Sequence, residues 1–266
     1  MIEAKEIDQE IPQKAVEFSF CTLLTKPEEY QSLLQSLEEK GFNESNSQFI
    51  YIDNSKQNKA DAYKGLNLMR SKCSAPIIIF IHQDIICYDN IDQLRIKIKE
   101  LDQMDPKWAI AGNAGARELK NYFTRMTDRN LLEKKEGPFP ALVYSLDENL
   151  LILKSEREIY FSDDLEGFHF YGTDICLQAA KKGHRAYVID FHVQHYGFGV
   201  LTPDFFNRKK QFLKKYLKES PGQFIQTTCV RMYVGGGFFT SFLFNLKPVL
   251  FLVKEYQKWR YKQGSK

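Results

Sequence analysis

The sequence predicts an α/β fold with a mainly parallel central sheet and helices on both faces. Short apolar runs alternate with longer amphipathic stretches through the first half of the chain, which is typical of right-handed βαβ units. The run at residues 76–81 is apolar throughout, as expected of a strand covered on both faces. The chain has 266 residues, enough for one sizeable domain with a small appendage.

Each element of this prediction has a local signal. Strands are expected at residues 18–24, 49–52, 76–81 and 108–111, where apolar and β-branched residues concentrate. Helices are expected at residues 27–40, 59–71 and 91–102 between them. The first helix has Pro27 at its start, Gly41 after its end and acids in its first turn. The apolar positions of that helix share one face: Tyr30, Leu33, Leu34 and Leu37.

The second half has a different pattern. Residues 141–145 and 150–154 predict two strands paired with each other around a turn at 147–149. A helix at 173–182, a strand at 185–189 and an amphipathic helix at 203–218 follow. Residues 235–253 are apolar and are interrupted by Lys247 and Pro248. We therefore expect a lead-in at 1–16, the main domain at 17–200 and a helical extension at 201–266.

Composition narrows the class of protein. The net charge of +3 and pI near 8.4 are too mild to indicate a nucleic-acid partner. Five dispersed cysteines without CxxC spacing predict reduced core thiols and a cytoplasmic location. The charged N-terminus lacks the apolar segment of a signal peptide, and no run reaches the roughly 18 apolar residues of a membrane span.

The late apolar and lysine-rich stretch leaves three alternatives: packing on the protein's own core, a homodimer, or peripheral contact with the inner membrane face.

Polar clusters follow three neighbouring strands. They are residues 22–25, residues 53–55 and the triplet His82, Gln83 and Asp84. Ligands bind beyond the carboxyl ends of parallel strands, so we expect one crevice that includes Thr22, Asp53 and Asn54. Asp84, on the end of a rigid buried strand, suits Mn²⁺ or Mg²⁺ together with substrate phosphates and a distant imidazole. The chain lacks the GxxxxGK[ST] run of a P-loop, and no GxGxxG follows the first strand.

The order of these motifs resembles the nucleotide-binding half of family-2-like GT-A glycosyltransferases. The residues that carry the resemblance are Asp53-Asn54-Ser55, then Ile77 to Asp84, then the run from His169 to Leu177, Gly183 and His195. The His-Gln-Asp form resembles more narrowly the branch of StrF-like proteins. The resemblance extends over residues 18–199.

The resemblance implies a role for each matching residue. Asp53 matches the acid that contacts the nucleotide base, and Asp84 matches the last acid of the DxD motif that binds the metal. His82 replaces the first acid, which leaves the metal with less negative charge. His195 matches the histidine that joins the metal shell, and His192 competes for that role.

The sequence offers more than one candidate for the general base. An inverting transfer needs a carboxylate or histidine to take the proton of the acceptor hydroxyl. The resemblance points to Asp174, although Tyr171-Gly172 stands where the family often carries Glu-Asp. His169 is the substitute, and Asp174 is otherwise a helix-capping neighbour. Asp147 and Glu148 are expected on a hairpin as groups on the acceptor side.

The resemblance thus implies a hexosyltransferase-like enzyme of polysaccharide biosynthesis, inverting and metal-assisted. Its donor is a nucleotide sugar, most often UDP-linked, and its acceptor is a saccharide or glycan. Two rival functions stay open: a non-catalytic nucleotide-sugar or carbohydrate-binding protein, and a sugar nucleotidyltransferase. The latter would want a glycine-rich and basic loop after the first strand, where this chain has Leu24-Thr25-Lys26-Pro27.

Overall fold

The structure is a computed structural model that describes residues 2–119, 121–197 and 202–264, with side chains up to residue 260. The strands are β1 Lys5–Glu6, β2 Phe18–Leu24, β3 Ser47–Asp53, β4 Ile77–Ile81, β5 Ile85–Cys87, β6 Trp108–Gly112, β7 Ala114–Ala116, β8 Tyr122–Thr127, β9 Glu133–Glu136, β10 Ala141–Val143, β11 Ser145–Leu146, β12 Leu150–Lys154, β13 Arg185–Val188, β14 Val193–His195, β15 Gln223–Gln226 and β16 Arg231–Val234. The helices are α1 Pro27–Glu39, α2 Ala62–Arg70, α3 Ile91–Met104, α4 Tyr171–Lys181, α5 Pro203–Glu219, α6 Phe238–Phe244 and α7 Lys247–Gly264, with a 3₁₀ turn at Ser155–Arg157.

The main sheet has eight strands in the order β1-β3-β2-β4-β12-β6-β13-β10. Strands β12 and β10 run antiparallel to their neighbours, and the other six share one direction. The prediction of a mainly parallel sheet is therefore confirmed. The order β3-β2-β4 also places the three strand-end clusters of the sequence on adjacent strands.

Both faces of this sheet are covered. Along β4 the side chains alternate, so that Ile78 and Phe80 enter one core and Ile77, Ile79 and Ile81 enter the other. Helices α1 and α3 pack on one face through apolar residues such as Leu33 and Leu94. Helices α2, α4 and α5 cover the opposite face. Burial on both sides explains why the sequence of β4 is apolar without alternation.

The predicted pairing of residues 141–145 with 150–154 is wrong. Strand β10 pairs with β13, β11 pairs with β7, and β12 inserts between β4 and β6. Residues 147–149 therefore form a connection between two sheets and not a hairpin turn. Because β12 runs antiparallel to β4, this connection lies at the carboxyl end of β4, beside the His82 triplet.

A second sheet crosses this edge, in the order β11-β7-β8-β14-β5 with β9 added to β8. Strand β5 begins directly after Asp84 and pairs antiparallel with β14, with His195 opposite Ile85. This pairing is what brings the histidine, more than a hundred residues later in the chain, next to the His82 triplet.

The C-terminal part packs on the main domain through α5, whose Phe205, Phe212 and Tyr216 are buried in the core. The β15–β16 hairpin and helices α6 and α7 follow. In the described ranges, no helix has both the length and the hydropathy needed to cross a membrane. The predicted boundary at 200/201, like the end of the family resemblance at 199, lies outside the described residues, and the domain bounds stay a prediction.

The cysteines are all free thiols in the structure. Cys21, Cys87 and Cys176 are buried, as expected of core residues. Cys229 is exposed on the turn between β15 and β16, so the expectation of core burial is wrong for this residue. Polar residues precede Cys229 and mainly apolar residues follow it. This pattern does not by itself predict a turn.

Candidate active site

His82, Asp84 and His195 form a compact cluster at the carboxyl edge of the main sheet. One potential ligand atom from each of these residues lies within 4.8 Å of the others. Asp84 Oδ1 lies 3.4 Å from His195 Nε2 and 3.9 Å from His82 Nδ1. The structure thus brings together the two residues predicted to bind the metal, with His82 as the third member.

One carboxylate oxygen of Asp84, Oδ1, is buried without a hydrogen-bond partner among the described residues, although two imidazole nitrogens face it. An unpartnered buried carboxylate oxygen is costly unless a ligand satisfies it. One carboxylate and two imidazoles suit Mn²⁺ or another first-row divalent ion, so this donor set fits the predicted metal.

Space for an ion is preserved by Gly197. A Cβ atom at this position would lie 2.5 Å from Asp84 Oδ2 and 2.6 Å from His195 Nε2. Any side chain there would fill the corner between the two ligands. The amide of Tyr196 also donates to the Asp84 carbonyl at 3.1 Å, which fixes the two chain segments against each other.

The charges of the three groups are coupled. Burial works to raise the pKa of Asp84, but the imidazoles of His195 and His82 outweigh it and lower that pKa. Burial lowers the pKa of His195, and the stronger effect of Asp84 raises it overall. Burial lowers the pKa of His82, which favours a neutral imidazole with a free lone pair. A carboxylate with a neutral imidazole is the state in which these groups bind a metal.

Tyr171 orients the His82 ring. His82 Nε2 lies 2.6 Å from the Tyr171 hydroxyl, which in turn donates to the backbone carbonyl of Glu148 at 3.2 Å. Because the phenol proton is used for Glu148, the ring of His82 must donate from Nε2. Nδ1 then carries the lone pair and faces Asp84. Metal-binding histidines are usually held in this way by a partner on the other nitrogen.

The predicted nucleotide-contacting residues fall into two groups. Asp53 is partly exposed at the end of β3, and hydrogen bonds from Ser55 lower its pKa. Thr22 is buried, and the side chain of Asn54 is used within its own loop by Lys59 N and Ala60 O. Of these three residues, only Asp53 keeps a partly exposed side chain at the strand end.

Gln83 joins two of the strand ends. Its Oε1 accepts from the amides of Thr25 and Lys26 at 2.6 and 2.9 Å. Its Nε2 donates to Thr25 Oγ1 at 2.8 Å and to Glu29 Oε2 at 3.0 Å. Gln83 thus positions the loop after β2 against the cluster of His82, Asp84 and His195, and it has no donor left for a ligand.

The two residues predicted as the base lie in different surroundings. Asp174 is fully buried, and its carboxylate accepts hydrogen bonds from Ser162 N, Ser162 Oγ and Tyr216 Oη. Burial raises its pKa. Asp174 therefore has no exposed surface through which an acceptor hydroxyl could reach its carboxylate, whereas the side chain of Glu148 is partly exposed.

His169 and His192 are engaged elsewhere. The ring of His169 packs edge-on against Phe205 at 5.2 Å, and burial lowers its pKa. His192 Nε2 lies 2.8 Å from Thr127 Oγ1 under the ring of Tyr88. Neither residue belongs to the cluster around Asp84. Of the two histidines that competed for the metal role, only His195 lies beside Asp84.

Glu148, expected from the sequence as a group on the acceptor side, is a further acid near the cluster. It lies in the connection before β12, where the neighbouring Asn149 carbonyl accepts from the amide of His82 at 3.0 Å. Its side chain lies against the first turn of α4, since a Cβ on Gly172 would come 3.1 Å from Glu148 Cγ. Glu148 therefore lies beside Gly172 at the start of α4.

The environment of Glu148 suits proton transfer. Burial, and then the charge of Asp147, raise the pKa of Glu148 to about 8, against the opposing effect of the backbone amides at 170–172. Phe170 precedes α4 with a φ of 68°, a left-handed conformation that costs about 1–2 kcal/mol in a residue other than glycine. A strained residue and an acid with a shifted pKa at one helix start are typical of a functional site.

Comparison with known proteins decides the family. No family model matches the chain. The protein "ATP synthase subunits region ORF 6" of Fuscovulum blasticum is 33% identical over 240 residues, which cover 88% of this chain and 96% of that protein. The chain belongs to the family of this protein. The relative's description places it in a genomic region and states no activity.

Solved structures show the fold of this member of the ORF 6 family. S. aureus TarS superposes with a TM-score of 0.52 at 14% identity over 76% of this chain and 40% of that one. TarS 1–349 in complex with UDP-GlcNAc gives the same values over 67% of its length. GalNAc-T7 with UDP, GalNAc and Mn²⁺ has a TM-score of 0.50 at 9% identity over 70% of this chain and 45% of that one. The predicted GT-A fold is confirmed.

Proposed function

We propose that this protein is a glycosyltransferase that moves a sugar from a nucleotide-sugar donor to a hydroxyl of a saccharide or glycan acceptor. The observation that carries the proposal is the cluster of His82, Asp84 and His195, with its unpartnered carboxylate oxygen, at the ligand-binding edge of a GT-A fold. The structural neighbours were solved with UDP-GlcNAc, and with UDP, GalNAc and Mn²⁺. We extend a UDP-linked donor and Mn²⁺ or Mg²⁺ to this chain on that basis.

In this proposal His82 Nδ1, Asp84 and His195 Nε2 hold the divalent cation, and Asp53 contacts the nucleotide base. When bound, the cation supplies compensation for the negative charge that develops on the departing diphosphate. Gln83 and Tyr171 keep the corner in place through the hydrogen bonds described above. Two of the three ligands here are imidazole nitrogens, which suit Mn²⁺ better than the harder, oxygen-preferring Mg²⁺, so we expect weaker affinity for Mg²⁺ than for Mn²⁺.

We assign the general base to Glu148 in place of Asp174 and His169. In its ionised form the Glu148 carboxylate takes the proton of the acceptor hydroxyl. The acceptor oxygen bonds to the anomeric carbon as the bond from that carbon to the diphosphate oxygen breaks, and the nucleoside diphosphate leaves. One displacement of this kind inverts the anomeric configuration. The assignment rests on the place of Glu148 beside His82 and α4.

The direct test is hydrolysis and transfer of a panel of UDP-sugars with Mn²⁺, in the wild type and in Asp84→Ala. We expect the variant to lose at least about a hundredfold in rate, because an electrostatic contact to the leaving group contributes on this scale. Asp92→Ala, which removes an exposed acid of α3, is the matched control and should keep full activity. Equal turnover in Asp84→Ala and the wild type would contradict the proposal.

Calorimetry with UDP, with and without Mn²⁺, beside this assay tests the non-catalytic alternative. Binding of UDP without turnover of any donor would favour a non-catalytic nucleotide-sugar-binding protein, to which the single-carboxylate corner is also suited. Membership of the StrF-like branch, a part in polysaccharide biosynthesis and a cytoplasmic location stay predictions of the sequence.

A further inference from the structure

Helices α6 and α7 present their apolar side chains to solvent. In α6, Phe238, Phe239 and Phe242 are 67%, 85% and 65% exposed, while Ser241 is buried. In α7, Leu252, Tyr256 and Trp259 are each more than half exposed. The spacing of these three residues, i, i+4 and i+7, places them on one face of the helix. Both helices thus have the reverse of the usual amphipathic arrangement.

This orientation is fixed by contacts on the inner side. Asn245, directly after α6, accepts from the amide of Tyr233 at 3.1 Å and donates to its carbonyl at 2.8 Å. Phe244 packs on Tyr233 with ring centroids 4.8 Å apart. Gln257 of α7 faces the domain and accepts from the amide of Leu119 at 3.0 Å. The outward aromatic face is therefore a defined surface and not the result of an unanchored helix.

Helix α7 as a whole is rich in basic residues. From Lys247 to Gly264 the chain has five basic residues and one acidic residue, a formal charge of +4. The single acid, Glu255, already lies 3.9 Å from Lys254 and 3.7 Å from Lys258. Two copies of such a basic helix would repel each other, whereas an anionic surface would attract it. Charge therefore favours an anionic occupant over a second copy of this chain.

A cavity beside the N-terminal turns of α7 suits an anionic headgroup. It has a volume of about 360 Å³ and lies between α7 and the turn of the β15–β16 hairpin. Lys247, Lys254 and Arg231 line it together with Phe251 and Leu250. Cations beside apolar side chains are the chemistry that binds a phosphate group attached to acyl chains.

We propose that the α6–α7 face, defined by the exposed aromatic residues above and the cations of α7, docks on the surface of an anionic lipid bilayer. Aromatic and leucine side chains of this kind enter the boundary between headgroups and acyl chains, and the lysines meet the negative surface potential. The docking is peripheral. It does not depend on the proposed transfer reaction.

The test is co-sedimentation of the full chain with vesicles of phosphatidylcholine alone and with about a third phosphatidylglycerol. We expect binding to the anionic vesicles and a loss of about tenfold or more in 0.5 M salt, because the attraction is screened. Phe239→Ser/Phe242→Ser/Trp259→Ser should lose binding by a similar factor. The matched control, Leu131→Ser/Leu132→Ser, removes equally exposed apolar residues from the turn before β9 and should bind like the wild type.

A second pair of variants tests the contribution of positive charge to binding. Lys258→Glu/Arg260→Glu should weaken binding to anionic vesicles by about tenfold or more. Lys210→Glu/Lys218→Glu makes the same change of net charge on α5 and should have little effect. All the substituted residues are exposed, and an unchanged melting temperature checks the fold of each variant. No binding of the wild type to anionic vesicles, or equal loss in both control variants, would overturn the proposal. A wild-type dimer that the serine variant converts to a monomer, without vesicle binding, would assign the face to a second copy.

Discussion

His82 Nε2 lies 2.6 Å from the hydroxyl of Tyr171, and this hydroxyl donates onward to the carbonyl of Glu148 at 3.2 Å. One chain of hydrogen bonds therefore joins the proposed metal corner to the segment that carries the proposed base. The hydroxyl of Tyr171 thus links a proposed metal ligand and the proposed base segment, which are far apart in the sequence. The coupling has consequences that variants of each residue can test.

Tyr171→Phe removes this link while keeping the aromatic ring in the core. His82 then loses the acceptor that fixes its ring and tautomer. Loss of such a partner typically costs 10–100-fold in metal affinity, and we expect about this loss for Mn²⁺. The measurement is titration calorimetry of Mn²⁺ in the presence of UDP. Tyr63→Phe, which removes a hydroxyl bound to the His169 carbonyl, is the matched control and should bind Mn²⁺ normally. Unchanged affinity in Tyr171→Phe would remove the orienting role.

Glu148→Gln should slow transfer strongly but leave UDP binding intact. A general base contributes about 10²–10⁴-fold, so we expect a loss in this range. The pKa of Glu148 is raised to about 8, and the base acts when deprotonated, so kcat/KM of the wild type should rise with pH through about 8. The groups that face it, Tyr63, Tyr171 and Cys229, have raised pKa values and stay largely neutral there.

Asp147→Asn is the companion variant. After burial, the charge of Asp147 is the effect that most raises the pKa of Glu148. Its removal should move the rising limb of the pH profile to lower pH without abolishing transfer. A profile of Glu148→Gln that keeps the wild-type limb and rate would show that another group is the base.

Asp174→Asn should affect stability more than catalysis. Three donors, two from Ser162 and one from Tyr216, point at this carboxylate, and an asparagine amide cannot accept from all of them. A buried donor left without a partner costs about 1–3 kcal/mol in the free energy of unfolding. Urea unfolding measures the loss, and activity per folded molecule should stay within a few fold. Full stability with a hundredfold loss in kcat would return Asp174 to the role of base.

Gly172→Ala tests the close approach of α4 to the Glu148 segment. The new methyl group would come 2.5 Å from the Leu146 carbonyl oxygen, so the backbone must move. We expect a loss of about 1–3 kcal/mol in the free energy of unfolding and a fall in activity as Glu148 shifts. Thermal unfolding and transfer assays measure both effects. A variant with normal stability and activity would show that the packing here is loose.

Local pattern was sufficient for the central strands and their edge. Apolar runs and strand–helix alternation determine β2, β3 and β4, and the rule for parallel sheets places Asp53 and Asp84 at one crevice. The helix that follows β2 also agrees with its prediction within one residue, since Pro27 and the acids mark its start. These features depend on neighbours in the sequence.

Long-range pairing was not accessible in the same way. The turn residues at 147–149 read as a hairpin because nothing in them indicates that β11 and β12 join different sheets. The place of Glu148 follows from that pairing, and so does its distance from α4. Asp174 matched a family position, yet its burial depends on Ser162 and on Tyr216 of α5, which only the folded chain brings together. Tyr171 and Gly197 gave no signal of their own.

The proposal that His82, Asp84 and His195 hold the cation of a nucleotide-sugar transferase is tested most directly by a crystal soaked with UDP and Mn²⁺. Anomalous scattering at the manganese edge should show one ion within about 2.0–2.4 Å of Asp84 and of at least one of the two imidazoles, with the diphosphate on its open side. UDP bound at this edge with no ion between Asp84 and the diphosphate, or manganese held by other residues, would contradict the proposal.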